Sequence, residues 1–117
     1  MAKPILIVDD NPNMSSLLSD MLEVFDYPSE RAGDGQEALD KLTAQPFSMV
    51  ITDMRMPNMT GLELVGRIKQ MYPKLPVVLI SGYAMSELDH LDGPRPDGFL
   101  AKPFMMSDVE RLINSLL

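Results

Sequence analysis

Asp9-Asp10, Asp53, Ser81 and Lys102 each close an apolar run of this chain, and together they are the residues equipped for chemistry. Open α/β sheets place ligands at the carboxyl ends of their strands, so four separate segments converge there on one crevice. Three carboxylates brought together repel strongly, and a hard, oxygen-seeking cation such as Mg²⁺ relieves that repulsion. Taken singly, each residue has a plainer role: the acidic pair as a turn or N-cap, Asp53 as a strand-end turn, Ser81 as a loop hydroxyl, Lys102 as a solvated charge. Their shared placement singles them out.

The elements that must position them read clearly. Ile5-Leu6-Ile7-Val8 is an unbroken apolar run, the pattern of a parallel strand covered on both faces. Met14, Leu17, Leu18, Met21, Leu22 and Phe25 then recur at spacings of three and four and predict one stripe of a helix. Ser29 to Ala32 is polar enough to be a strand only at a sheet edge. Asp34 with Glu37 has capping-box spacing ahead of Ala38, Leu39 and Leu42, and Met49-Val50-Ile51-Thr52 is a buried strand running into Asp53. Thr60 with Glu63 caps a third helix carrying Leu62, Val65, Ile68 and Met71, and Val77 to Ile80 is a fourth strand ending at Ser81-Gly82. Ser86 with Asp89 starts a short helix that Gly93-Pro94-Arg95-Pro96 stops. Phe99-Leu100-Ala101 forms the last strand, and Ser107 with Glu110 caps a last helix with Val109, Leu112, Ile113 and Leu116 on its apolar face. Five strands alternating with five helices predict an α/β domain with a parallel sheet, because parallel neighbours need crossover connections.

Composition narrows the chemistry. The 117 residues suit one domain, 1–117. With 17 acidic and 10 basic side chains the net charge is −7, which repels a phosphate backbone and argues against direct nucleic-acid binding. There is no cysteine and only one histidine, His90, so thiolate and multi-histidine metal sites are excluded. The first apolar run is too short for a signal-peptide core or a membrane span, so a soluble, cytoplasmic protein is expected. The 11 methionines are expected mainly as adaptable core and loop filling.

Val8-Asp9-Asp10, Asp53-Met54-Arg55-Met56-Pro57-Asn58-Met59-Thr60-Gly61, Ser81-Gly82-Tyr83 and Phe99-Leu100-Ala101-Lys102-Pro103-Phe104 resemble the receiver domains of bacterial two-component systems, over essentially the whole chain. The resemblance implies a flavodoxin-like (βα)5 doubly wound sheet of five parallel strands in the order 2-1-3-4-5. It implies that Asp53 accepts a phosphoryl group from a phosphohistidine, giving an aspartyl phosphate. Asp10 and Asp53 would ligate Mg²⁺ directly, Asp9 through metal-bound water, and the Arg55 carbonyl would complete the protein ligands. Lys102 would pair with one phosphoryl oxygen and Ser81 would hydrogen-bond another. Ser81 and Phe99 would switch the partner-binding face, and Arg55 and Tyr83 would tune attack by water. The partners implied are a sensor histidine kinase or phosphotransfer protein and an unknown downstream protein or output domain, with the chain a monomer or a phosphorylation-dependent dimer. Weak Mg²⁺-dependent self-phosphorylation and self-dephosphorylation belong to the same picture.

Three other readings compete. A receiver-like interaction module without phosphorylation would show no Mg²⁺ response dependent on Asp10 and Asp53. A phosphohydrolase of the haloacid-dehalogenase class would need a general acid two residues after a first-strand nucleophile, where this chain has Asn11 and Pro12. A flavin-binding domain would need a hydroxyl- and glycine-rich loop after the first strand, where Asp10-Asn11-Pro12-Asn13 stands instead.

Overall fold

The computed structural model describes residues 3–81 and 95–117. Five strands, β1 (Ile5–Val8), β2 (Ser29–Ala32), β3 (Met49–Asp53), β4 (Val77–Ser81) and β5 (Gly98–Ala101), form one sheet in the order β2-β1-β3-β4-β5, every pair parallel. This is the order that the family resemblance implies. Four helices are described: α1 (Pro12–Val24), α2 (Gly35–Ala44), α3 (Gly61–Met71) and α4 (Met106–Leu116). The helix expected after Ser86 lies outside the described residues, as do Gly93 and Pro94 of the Gly93 to Pro96 stop.

Alternation along the strands divides the core in two. Ile5, Ile7, Met49, Ile51, Val78, Ile80 and Leu100 pack with Leu18 and Leu22 of α1 and Val109 and Ile113 of α4. Leu6, Val8, Val50, Val77 and Leu79 pack instead with α2 and α3 through Ala38, Leu39, Leu42, Leu64, Val65 and Ile68. Helices therefore cover both faces, which is why β1, β3 and β4 carry continuous apolar runs. Edge strand β2 spares such runs, and three of its four side chains keep access to solvent.

Local chemistry sets the helix starts. Asn11 caps α1, its side chain accepting from the Asn13 amide at 2.9 Å, and Pro12 occupies the first turn, where no amide donor is needed. Asp34 accepts from the Glu37 amide at 2.8 Å, but Glu37 returns its carboxylate to the Gly33 amide rather than to Asp34. Thr60 accepts from the Glu63 amide at 3.2 Å, as expected.

Three expectations are corrected. Ser107 does not cap the last helix: α4 begins at Met106, and the terminus is closed by the Asp108 carboxylate accepting from the Met105 amide at 2.8 Å. A carboxylate three residues into a helix satisfies the orphan donor before it whatever side chain the cap residue carries. Leu17 and Met71, assigned to buried stripes, are exposed. Both sit at the margin of an apolar arc wider than the sheet can cover.

At the amino ends of β4 and β5 a polar clamp sets the sheet's edge. Lys69 of α3 pairs with Asp97 and donates to the Leu75 carbonyl at 2.8 Å, and the Asp97 carboxylate accepts from the Val77 amide at 2.8 Å. The clamp ties α3, β4 and β5 together at the end of the sheet remote from the acidic residues. No described helix is long and apolar enough to cross a membrane.

Candidate phosphoryl and metal site

Strand register brings the acidic residues together. Val8 pairs with Thr52, so Asp9 leaves β1 alongside Asp53 at the end of β3. Asp53 in turn pairs with Ile80, one residue before Ser81, and Ser81 pairs with Ala101, one residue before Lys102. Asp9 and Asp53 stand level, and each of the next two steps across the sheet advances the functional residue by one position, so the crevice follows the carboxyl ends of β1, β3, β4 and β5. Carboxylate oxygens of Asp9, Asp10 and Asp53 lie within 4.8 Å of one another. The Lys102 ammonium stands 3.2 Å from Asp53 Oδ1.

The environments differ. Asp9 and Asp53 are buried and Asp10 is exposed, so the cluster reaches from the sheet end to solvent. The Asp9 Oδ1 accepts from the Asn11 amide at 2.9 Å, while its Oδ2 is buried without a hydrogen-bond partner. Asp9 thus makes the plain turn contact and still leaves one oxygen for another ligand. Burial holds the Asp9 carboxyl above its ordinary range; repulsion from Asp53 and Asp10 adds to this, while the Asn11 amide and Lys102 oppose it. The Lys102 ammonium faces three carboxylates here, and an orphaned buried oxygen is costly. The donor set fits a hard divalent cation: oxygen ligands only, an excess of negative charge, and one buried oxygen unsatisfied.

This charge imbalance has a measurable consequence. The folded chain binds the Asp9 proton more tightly than the unfolded chain does, so stability falls as pH rises from the ordinary carboxylate range through the folded value, and the deficit is complete above it. Asp9→Asn keeps an oxygen for the Asn11 amide and removes the charge. Without added metal it is expected to melt several degrees higher than wild type at pH 7, with the gain vanishing below about pH 3.5, where free carboxyls are largely protonated. Scanning calorimetry at the two pH values checks this; an Asp9→Asn protein less stable at pH 7 would contradict it.

The backbone around Asp53 is equally constrained. The Met54 amide is shared, donating to Asp53 Oδ1 and to the Ile80 carbonyl, each at 3.0 Å. The Gly61 amide donates to the Met54 carbonyl at 2.8 Å. A Cβ on Gly61 would overlap the Asp53 carbonyl oxygen and lie 2.8 Å from Leu79 Cδ1 and 2.9 Å from the Met54 Cα. The start of α3 therefore sits directly against the Asp53 peptide. The loop between turns at Asn58, which adopts a left-handed conformation (φ 69°) that asparagine tolerates.

The structure thus joins Asp9, Asp10, Asp53 and Lys102 directly and brings the buried Ser81 to the neighbouring strand end, where its carbonyl accepts from the Lys102 amide at 3.0 Å. The Lys102-Pro103 peptide is cis. Arg55 is exposed in the loop after Asp53. Phe99 is half-buried on β5 beside Leu79 and packs with the cluster under α2 and α3. Tyr83 lies outside the described residues. Reading the sequence did not single out Asn11 or the Met54 amide. Asn11 had a signal, standing two residues after an aspartate in Asx-turn spacing; a shared backbone amide has none.

Comparison with known proteins matches this geometry to one group. The family model described as Response regulator receiver domain matches residues 5–114. The chain is 34% identical over 116 residues to the response regulator receiver protein CpdR of Brucella abortus, covering 98% of this chain and 97% of that one. It is 41% identical over 83 residues to the sensor histidine kinase RcsC of Salmonella typhimurium, where the match spans 71% of this chain and only 9% of the kinase. Among solved structures, the response regulator TrrA of Thermotoga maritima, in complex with Mg(2+)-BeF, superposes with a TM-score of 0.87 at 30% identity, over 98% of this chain and 99% of that one.

Proposed function

The chain belongs to the response regulator receiver domain family, and from that premise we propose that it is a phosphoryl-accepting signalling domain whose Asp53 takes the group from a phosphohistidine of a sensor kinase or phosphotransfer protein. The observation that carries this reading is the meeting of the Asp9, Asp10 and Asp53 carboxylates around one point, with Lys102 against Asp53. The resemblance to a receiver solved with Mg(2+)-BeF supports the choice of cation.

An Asp53 oxygen attacks phosphorus as the bond from phosphorus to the donor imidazole breaks, and the imidazole leaves with a proton from solvent. Lys102 exchanges its Asp53 partner for a phosphoryl oxygen, and Ser81 donates its hydroxyl to another. Both contacts recognise the product. Asp9, Asp10, Asp53 and the Arg55 carbonyl would hold the ion, which would screen these carboxylates and neutralise charge on the phosphoryl oxygens. Displacement of Ser81 and rotation of the half-buried Phe99 then reshape the surface around β5 and α4. A module that signals by binding alone has no use for the orphaned Asp9 oxygen.

The test is intact-mass spectrometry after treatment with acetyl phosphate. One added phosphoryl group is expected with Mg²⁺ and none with excess chelator; no addition in Mg²⁺ would defeat the reading. A second expectation concerns lifetime. Bulky side chains at Arg55 and Tyr83, two residues beyond Asp53 and Ser81, restrict the approach of water to the acyl phosphate. Tyr83→Ala is expected to dephosphorylate faster than wild type. Equal decay rates would remove Tyr83 from the account.

A further inference from the structure

Thr52 is fully buried on β3, and strand alternation sets it with Val50 on the face that α2 and α3 cover. A valine has the same shape and would leave no hydroxyl to desolvate, so a threonine here is costly unless its hydrogen bond does something. That hydroxyl has one proton and two acceptors within reach: the Asp53 carbonyl oxygen at 3.1 Å and the Met56 Sδ at 3.8 Å. Both belong to the turn that leaves β3. From the other side, the Gly61 amide holds the Met54 carbonyl, and the Met54 amide is held by Ile80 and Asp53. Arg55 is therefore the single residue between two anchored neighbours, Met54 through its backbone and Met56 through its side chain. With both anchored, the peptide carbonyl of Arg55 has little freedom to rotate.

We propose that Thr52 is a positioning residue for the cation site: its hydroxyl tethers the turn so that Arg55 presents its carbonyl oxygen beside the Asp53 carboxylate. The inference deepens the phosphoacceptor reading and rests on it. Thr52 touches no phosphoryl oxygen, and its effect runs through affinity for the ion rather than through stability of the fold.

The full chain is titrated with MgCl2 while its backbone amide resonances are followed, for wild type, Thr52→Val, Thr52→Ser, Met56→Leu and the pair Thr52→Val with Met56→Leu; thermal unfolding without added metal is measured on each. Thr52→Val is expected to weaken Mg²⁺ binding about tenfold, as loss of a group that orients a ligand does, with an unchanged or higher Tm. Thr52→Ser restores the affinity, because it restores the hydroxyl. Met56→Leu also weakens binding, and the pair loses no more than Thr52→Val alone, since both changes break one contact. Wild-type affinity in Thr52→Val or in Met56→Leu, an equal loss in Thr52→Ser, or additive losses in the pair overturns the assignment. A wild type without any Mg²⁺ response that Asp53→Ala removes overturns the phosphoacceptor reading and this inference with it, so the two failures are distinguished.

Discussion

Asp53→Asn takes up no phosphoryl group from acetyl phosphate or from a phosphohistidine donor, within the detection of intact-mass spectrometry. Asparagine keeps the size of the side chain and an oxygen to accept from the Met54 amide, yet a neutral amide oxygen is a poor nucleophile toward phosphorus. The fold survives the change. The ion pair with Lys102 is lost, but that ammonium is about one-third exposed and the pair contributes little, while repulsion from Asp9 and Asp10 is relieved. The variant therefore separates chemistry from folding: a melting temperature near that of wild type beside zero incorporation is the expected pair of results. Incorporation retained at the wild-type level would place the acceptor on another residue.

Gly61→Ala destabilises the domain by about 3 kcal/mol or more, the upper end for overpacking at a site that cannot relax. The added methyl group would collide with the Asp53 carbonyl oxygen and the Met54 Cα, which are backbone atoms, and with Leu79 from the sheet. Flexible side chains can retreat, whereas the end of a central strand cannot. For a domain of this length the loss corresponds to a fall in Tm of about 10 °C or more. Urea denaturation at neutral pH measures it directly. A loss below about 1 kcal/mol would show that the start of α3 can move away from Asp53 freely. The adjacency also gives a physical reason for the spacing of Asp53, Pro57 and Gly61: eight residues after Asp53, the chain returns against Asp53's own peptide.

Much of this architecture is legible in the sequence because its strongest signals are local and repeated. Ile5 to Val8, Met49 to Ile51 and Val77 to Ile80 are apolar on both faces, and all are buried. The polar stretch from Ser29 was readable only as an edge strand, and it occupies an edge. Helix starts were legible where a side chain caps the next turn, at Asp34 and Thr60. At α4 the same rule pointed to Ser107, while the terminus belongs to Met105 and Asp108, because a backbone amide closes the motif and leaves no mark on the cap residue's type. Leu17 and Met71 have the right period and the wrong exposure: periodicity gives the direction of a stripe but not how far its neighbours extend over it.

The site divides in the same way. Asp9, Asp10, Asp53 and Lys102 were recognisable from residue type at strand ends, and the parallel register brings them together. Their differences in burial were not recognisable, since Asp9 and Asp10 are adjacent letters with opposite exposure. Nor was the support beneath them, where Thr52 reads as a β-branched strand residue and Met56 as a hydrophobe. Only coordinates pair a hydroxyl with a thioether four residues away.

The shared amide of Met54 makes the domain its own gauge. Its proton is divided between the Asp53 carboxylate and the rung that binds β3 to β4 just below Ser81. The proposed phosphorylation of that carboxylate would lower its basicity and return the proton to the strand ladder. One amide resonance would then report, without any attached probe, both the electrical state of Asp53 and how tightly the strand that carries Ser81 is fastened.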